Sequence, residues 1–459
     1  MGWLVRMASK AWSKKIRLHE TMQRELCRVV FLLIALLPCL FVLGYTALRS
    51  TPWYQAYQLN LWQQRISDNL GVHCRFSSIT FPSPDRFRAN NFVCLHPETG
   101  KEILKVGHVD AAMDRSGWSV TLGKPELNGQ EVQNAMQILH DWFLCRPQKS
   151  ASLLRLSVPE LAVFDGVATT TFQNIDVGLK PTESLSTVYV KFSVEGQKFA
   201  EPGILVVERN HALENPTTTW TLKSQDISIP CNAIASRFPI LKSLGQDASF
   251  KGKMAWIQND VNWIANIHGT FSSVDMAVLS LPLGAPLRGK GQLAIHQAEI
   301  IDSKLQFAQG SMDVDMTGHE SVDGQWVNRT NESGLMAAEK RIDEVTDKQA
   351  PLQYFGLSFE LDDRGLLIEG KRAPPHEAWP RIAMIVDGKH IAGPIDNATG
   401  NGLRVDLKTV AAWLQSSYGT SSDGALVQND QLGRFLSQAL PWAGSTKTTV
   451  ATRVATDHR

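Results

Sequence analysis

Val188-Tyr-Val-Lys-Phe-Ser-Val194 places apolar residues at 188, 190, 192 and 194, with Tyr189, Lys191 and Ser193 between them. A period of two belongs to an extended chain, whose successive side chains point to opposite faces. The segment therefore reads as a strand with one apolar and one wet face. The pattern recurs further along. Trp220 and Leu222 alternate with Thr221 and Lys223, and Phe359 and Leu361 alternate with Glu360 and Asp362. In Lys304 to Met316 the apolar set is Leu305 and Phe307, then Met312, Val314 and Met316. Its phase slips from odd to even across Gly310, which predicts a bulge or tight turn at that glycine. Asp362-Asp-Arg-Gly365 lies between the runs 357–361 and 366–369, as in a hairpin.

Helical spacing is rarer. Leu59, Trp62, Ile66 and Leu70 predict a helix over 52–70, ended by Gly71. Asn128-Gly-Gln-Glu131 resembles a capping box opening a helix with Val132, Met136, Leu139 and Phe143 on one face. Further helices are expected over 233–244, broken at Pro239, from an Asp406 cap through Leu414, and over 430–440. The polar stretch 318–350 reads as a loop or insertion, and 445–459 as a disordered tail. Trp118–Leu127 and Leu154–Leu161 both end in Pro-Glu-Leu, 34 residues apart, which fits stacked strand units sharing one apolar face.

The twenty residues Val29–Leu48, VVFLLIALLPCLFVLGYTAL, carry no charge. At about 1.5 Å per residue such a helix spans roughly 30 Å, the hydrocarbon thickness of a bilayer. The run is longer than a signal peptide's apolar region and ends without a good small-residue cleavage site, so an uncleaved anchor is expected. Arg6, Lys10, Lys14, Lys15, Arg17, Arg24 and Arg28 precede it against Glu20 and Glu25 only. Basic flanks stay cytoplasmic, which puts the N-terminus inside and the bulk outside. Trp53, Tyr54, Tyr57 and Trp62 follow, suited to a headgroup layer.

With 43% apolar and 20% charged residues the chain can build a folded core, and a net charge of +1, with no basic stripe outside the N-terminal arm, argues against nucleic-acid binding. The cysteines outside the anchor region, Cys74, Cys94, Cys145 and Cys231, permit up to two disulfides in three connectivities; buried thiols are the alternative. Cys27 and Cys39 lie at or in the membrane. No C-x-x-C occurs.

No catalytic constellation emerges. His319-Glu320 lacks the second histidine of a zinc-protease site. Gly289-Lys-Gly291-Gln-Leu-Ala294 matches a loose dinucleotide fingerprint but precedes a strand-like Leu293-Ala-Ile295. Asp313 and Asp315 would suit a divalent metal, yet they alternate with Met312, Val314 and Met316 and so read as the wet face of a strand. The sequons at Asn328, Asn331 and Asn397 matter only in a eukaryotic cell. No catalytic, cofactor-binding or metal residue is assigned, and no cofactor.

The anchor, the helix ending Asp68-Asn-Leu-Gly71, the strand 74–81 and Leu95-His-Pro-Glu-Thr-Gly100 stand in an order that resembles the AsmA-like proteins of bacterial envelopes, with their TamB-like relatives. Trp118–Leu127, Trp263–Phe271 and Gly291–Ile295 look like that family's repeating strands. The resemblance implies a single-pass inner-membrane protein with a curled, β-rich periplasmic groove, serving envelope assembly or, in larger members, phospholipid movement. It carries over no functional residue by position.

The expected fold is mainly β with few helices: one N-terminal transmembrane helix, then an elongated, curled, antiparallel sheet. Its parts are a basic cytoplasmic arm (1–28), the anchor (29–48), a β-rich region (49–317), the polar insertion (318–350), a C-terminal β-rich region with helices (351–444) and the tail (445–459). The expected role is non-enzymatic contact with membrane lipids, with other envelope proteins as further partners. A membrane-anchored scaffold without lipid cargo, or a type II membrane enzyme such as a glycosyltransferase, are the alternatives.

Overall fold

A computed structural model describes residues 20–410, apart from 116, 147–152, 167, 198–200, 236–238, 260–262, 278–288, 303, 316–320, 323–349, 374–380, 387–388 and 394–401. The expected helix at 430–440, the tail, the basic arm before residue 20 and most of the polar insertion lie outside these residues. So do His319, Glu320 and the three sequon asparagines.

The chain divides into two units, residues 1–69 and 70–459. The first is helical. Helices α1 (Glu20–Phe31) and α2 (Leu37–Arg49) are joined without a break by a π-turn at Leu32–Leu36. Pro38 has no N–H to donate, and the wider turn just before it lets the Leu37 N–H reach the Leu32 carbonyl instead. Arg24–Arg49 is long and apolar enough to cross a membrane, and none of it is buried. Helix α3 (Pro52–Leu70) follows and stops at Gly71, whose φ of 68° suits a glycine in the left-handed position after a helix.

The second unit is a single open sheet. β1 (His73–Arg75) and β2 (Ser78–Ser83) lie end to end along β3 (Arg86–Leu95), followed by β4 (Glu102–Met113) and β5 (Gly117–Asn128). Next come β6 (Leu153–Phe164), β7 (Thr169–Pro181), β8 (Leu185–Val194), β9 (Gly203–Asn210) and β10 (Thr217–Lys223). The short β11 (Ile229–Pro230) extends the edge that β10 pairs on β12 (Ser249–Gln258). Then follow β13 (Trp263–Asp275), β14 (Lys290–Ile301) and β15 (Lys304–Asp315). β16 (Ser321–Val322) and β15 share one edge of β17 (Ala350–Asp362). β18 (Gly365–Gly370) and β19 (Ile382–Val386) share its other edge, with β20 (Lys389–Ala392) and β21 (Leu403–Val405) outermost. From β2 to β17 the strands follow one another in sequence order, with β11 and β16 as short additions, whereas β19 returns to β17 and β21 to β18; the two ends of the sheet do not pair among the described residues.

One pair departs from the antiparallel expectation. β5 and β6 run parallel, with Trp118 opposite Leu154. A parallel return needs a crossover of a dozen residues or more. The chain supplies it through a 3-10 turn at Gly129–Glu131, helix α4 (Val132–Ile138) and a π-turn at Leu139–Leu144. The capping box forms only by half: the Asn128 side chain accepts the Gln130 N–H, while Glu131 turns to Asn134 and Lys101. The two Pro-Glu-Leu strands are this parallel pair, but their register is offset by two residues from the echo. A two-residue offset keeps the same side chains on the same face.

Three expectations need correction. The region 233–244 forms 3-10 turns at Cys231–Ile234 and Pro239–Leu244 in place of an α-helix. Inside the polar insertion, Ser321–Val322 is a strand paired with Ala350 and Pro351. The phase slip in β15 falls at Gln306, not Gly310: Leu305 faces Ile300 and Phe307 faces Glu299, so one extra residue is bulged there.

The hairpin at 362–365 forms as expected, with Asp362 opposite Gly365. Asp362 accepts from the Arg364 N–H at 2.9 Å, Arg364 Nε at 2.8 Å and Arg404 Nη1 at 2.8 Å. Burial pulls its pKa upward, but these donors and both guanidinium charges outweigh burial and hold the carboxyl below its ordinary range. A folded value below the unfolded one stabilises the fold above the unfolded value and fades as pH falls through the folded one. Asp362→Asn is therefore expected to cost about 2 kcal/mol at pH 7, the scale of charge-assisted hydrogen bonds, in urea unfolding. That gap should narrow as the pH falls from the ordinary carboxylate value of about 3.9 through the lower folded one.

Candidate functional site

Side chains directly opposite each other across the strands line up in a single apolar ladder. It runs from Phe87 on β3 through Ala111, Val120, Leu156 and Val177. It continues through Val190, Leu205, Leu222, Met254 and Ile267. It ends with Ala298, Ala308, Leu361, Leu366 and Val405 on β21. Fifteen strands contribute fifteen apolar residues without a gap. A second row beside it runs from Met113 and Trp118 through Leu154, Leu179, Val188 and Val207. It reaches the stacked pair Trp220 and Trp256, whose rings are 5.5 Å apart, and goes on to Ala265 and Ile300.

The opposite face carries the ion pairs. Arg88 bridges Asp110 across β3 and β4, and Arg155 bridges Asp176 across β6 and β7. Asp110 is held below the ordinary carboxylate range by the Arg88 hydrogen bond. Asp313 lies on this face too, paired with Lys371. Gly289–Ala294 runs into strand β14 with no helix behind it. A cleft of about 500 Å³ on the same face is lined by Gln309, Ser311, Glu360, Glu369, Lys371 and Arg381 among others. Its ionic groups pair among themselves, Arg381 with Glu369 at 3.2 Å and Lys371 with Asp313.

Two elements lie against the apolar face. The crossover brings Met136, Leu139, Phe143 and the fully buried Leu144 onto it. The connection after β10 adds Ile227, Ile229, Cys231, Leu241 and Leu244, all buried. Burial pushes the Cys231 thiol up to about 12, so it behaves as a small apolar group. Cover is uneven. Under the second element Leu222 and Met254 are buried, whereas Val120, Leu156, Val177, Val190 and Leu205 remain half-buried in five consecutive strands. Met136, Leu139 and Phe143 opposite them are half-buried as well. An apolar interface left part-exposed on both sides is incompletely closed.

One polar cluster borders this region that the sequence did not reveal. The π-turn sets His140 Nδ1 2.8 Å from Asp141 and His140 Nε2 3.0 Å from Thr218 Oγ1, with Arg209 Nη1 2.8 Å from the same hydroxyl. Cys145 Sγ is 3.6 and 3.8 Å from the two ring nitrogens. A sulfur nearly equidistant from both nitrogens lies off the Nδ1 lone pair, and Arg209 stands 3.2 Å from Nε2, so the trio is poorly arranged to share a cation. It fastens the crossover to β9 and β10. Nearby His211 is held below its ordinary range by burial and then by the Arg209 charge. Spacings of one and five residues match no familiar ligand signature, which is why periodicity could not find the cluster.

Comparison with known protein families, curated proteins and solved structures gives no match.

The stripe also depends on close approach at Gly310, which sits opposite Phe359. A Cβ there would stand 2.8 Å from Phe359 Cζ and closer still to the Ala294 carbonyl oxygen. At Gly178, on the opposite face, an added Cβ would meet nothing within 4 Å. Gly310→Val should cost about 1–3 kcal/mol by overpacking, while Gly178→Ala should be neutral within about 0.5 kcal/mol, both read from urea midpoints.

Proposed function

We propose that this chain is a non-enzymatic, AsmA-like envelope protein that holds acyl chains of membrane lipids on its apolar stripe, in outer-membrane assembly or phospholipid transport. In this reading it is a single-pass inner-membrane protein, with its basic N-terminus cytoplasmic and the sheet periplasmic. The observation that carries it is the gapless fifteen-strand ladder, half-buried from Val120 to Leu205. A sheet face of this length must meet something apolar, and acyl chains gain about 0.8 kcal/mol per buried CH₂ without needing any particular residue. The N-terminal span supplies the membrane from which such chains come.

A lipid-free scaffold is the second reading. It is favoured by the burial of Val188, Val207 and Trp220, which shows that part of the second row already has a protein cover. Photo-crosslinking in cells separates the two. A benzophenone amino acid at Val190 or Leu205 should give phospholipid adducts, and the same group at Lys191 or Lys253 on the opposite face should give none. Adducts at neither pair, or equally at both, would overturn the lipid reading.

A further inference from the structure

Cys74 and Cys94 face each other directly on adjacent antiparallel strands, with His73 opposite Leu95 and Arg75 opposite Val93 on either side. Directly opposed residues have Cα atoms about 4.5–5.5 Å apart, inside the window of about 4.4–6.8 Å that a disulfide requires. Their side chains necessarily share a face. Cys74 is 3% exposed and Cys94 is half-buried, beside the stacked rings of Phe76 and Phe92. The Cys94 thiol is pushed up in pKa by its hydrogen bond with Cys74 and by burial, so the two sulfurs already interact. Cys145 instead packs on the His140 ring, and Cys231 is sunk in the core.

We infer that Cys74 and Cys94 are a bridging pair, joined by a cross-strand disulfide when the chain meets an oxidising compartment. The step breaks two S–H bonds and forms one S–S bond. The two electrons and two protons pass to the disulfide of an exported thiol oxidase, or to a small disulfide such as oxidised glutathione, which becomes two thiols. The bond would staple the first strand of the sheet, which begins three residues after α3, to its neighbour. It selects one pairing where four cysteines alone leave three connectivities. Formation in the cell rests on the periplasmic placement proposed above; the pairing itself rests only on register and burial.

The full chain, trapped in cells with N-ethylmaleimide and digested by trypsin without reduction, tests it. Residues 66–75 should appear linked to residues 89–101, and the link should vanish after dithiothreitol. A second sample, purified reduced and then treated with oxidised glutathione, separates the two layers. A link formed only in that sample sustains the pair and overturns the placement outside the cytosol. Both peptides remaining alkylated in both samples, or a link to the peptide of Cys145 or Cys231 in place of this one, overturns the pair. Cys74→Ala with Cys94→Ala should lower the thermal midpoint of the oxidised protein by more than that of the reduced protein.

Discussion

The fold depends on keeping one side of every strand apolar while the strands bend. A period of two is unforgiving: a single extra residue moves every later side chain to the other face. Five consecutive strands contain such an extra residue, and all five are aligned. On β3 the buried set passes from Ala89 to Phe92, on β4 from Val109 to Val106, and on β5 from Leu122 to Pro125. On β6 it passes from Val158 to Leu161, and on β7 from Ile175 to Phe172. Asn91, Lys124 and Asn174 adopt positive φ at these points, and Gly107 lies between the first two. The slips run across the sheet as one crease, so the apolar side survives on both flanks. Such kinks also increase twist and bend, which is how a long sheet curls without closing.

The parallel pair β5 and β6 follows from the same demand. Returning the chain in parallel forces a crossover, and the crossover carries its own apolar side chains onto the stripe. A covering element thus arrives from the topology itself. Its side chains pack on the same core as the ladder residues Leu156, Val177, Val190 and Leu205, which stay half-buried. His140, Thr218 and Arg209 then fix the crossover to the sheet through hydrogen bonds.

Much of this could be read from sequence, and for physical reasons. The period-two runs at 188–194, 220–223 and 357–362 became strands because alternation leaves an extended chain no other way to bury one side. The helix at 52–70 and the hairpin at 362–365 carried their own stop and turn signals, Gly71 and Asp362-Asp-Arg-Gly365. The Pro-Glu-Leu echo had meaning too: both copies lie at the crease, where strand parity changes. What escaped was non-local. Neither the parallel pairing of β5 with β6 nor the bulge at Gln306 is written in a local pattern, because each is set by the partner strand. The apolar stripe was expected as a face; its unbroken passage through fifteen strands needed the registers.

The central claim is that the stripe is a contact surface for acyl chains as well as a core. Phospholipid retained by the detergent-washed full-length protein tests this most directly, compared with a Val190→Asp, Leu205→Asp variant whose circular dichroism is unchanged. The anchor is common to both proteins, so the difference reports on the sheet. At least a twofold loss of retained phospholipid in the variant is predicted. Equal retention in the two would contradict the account.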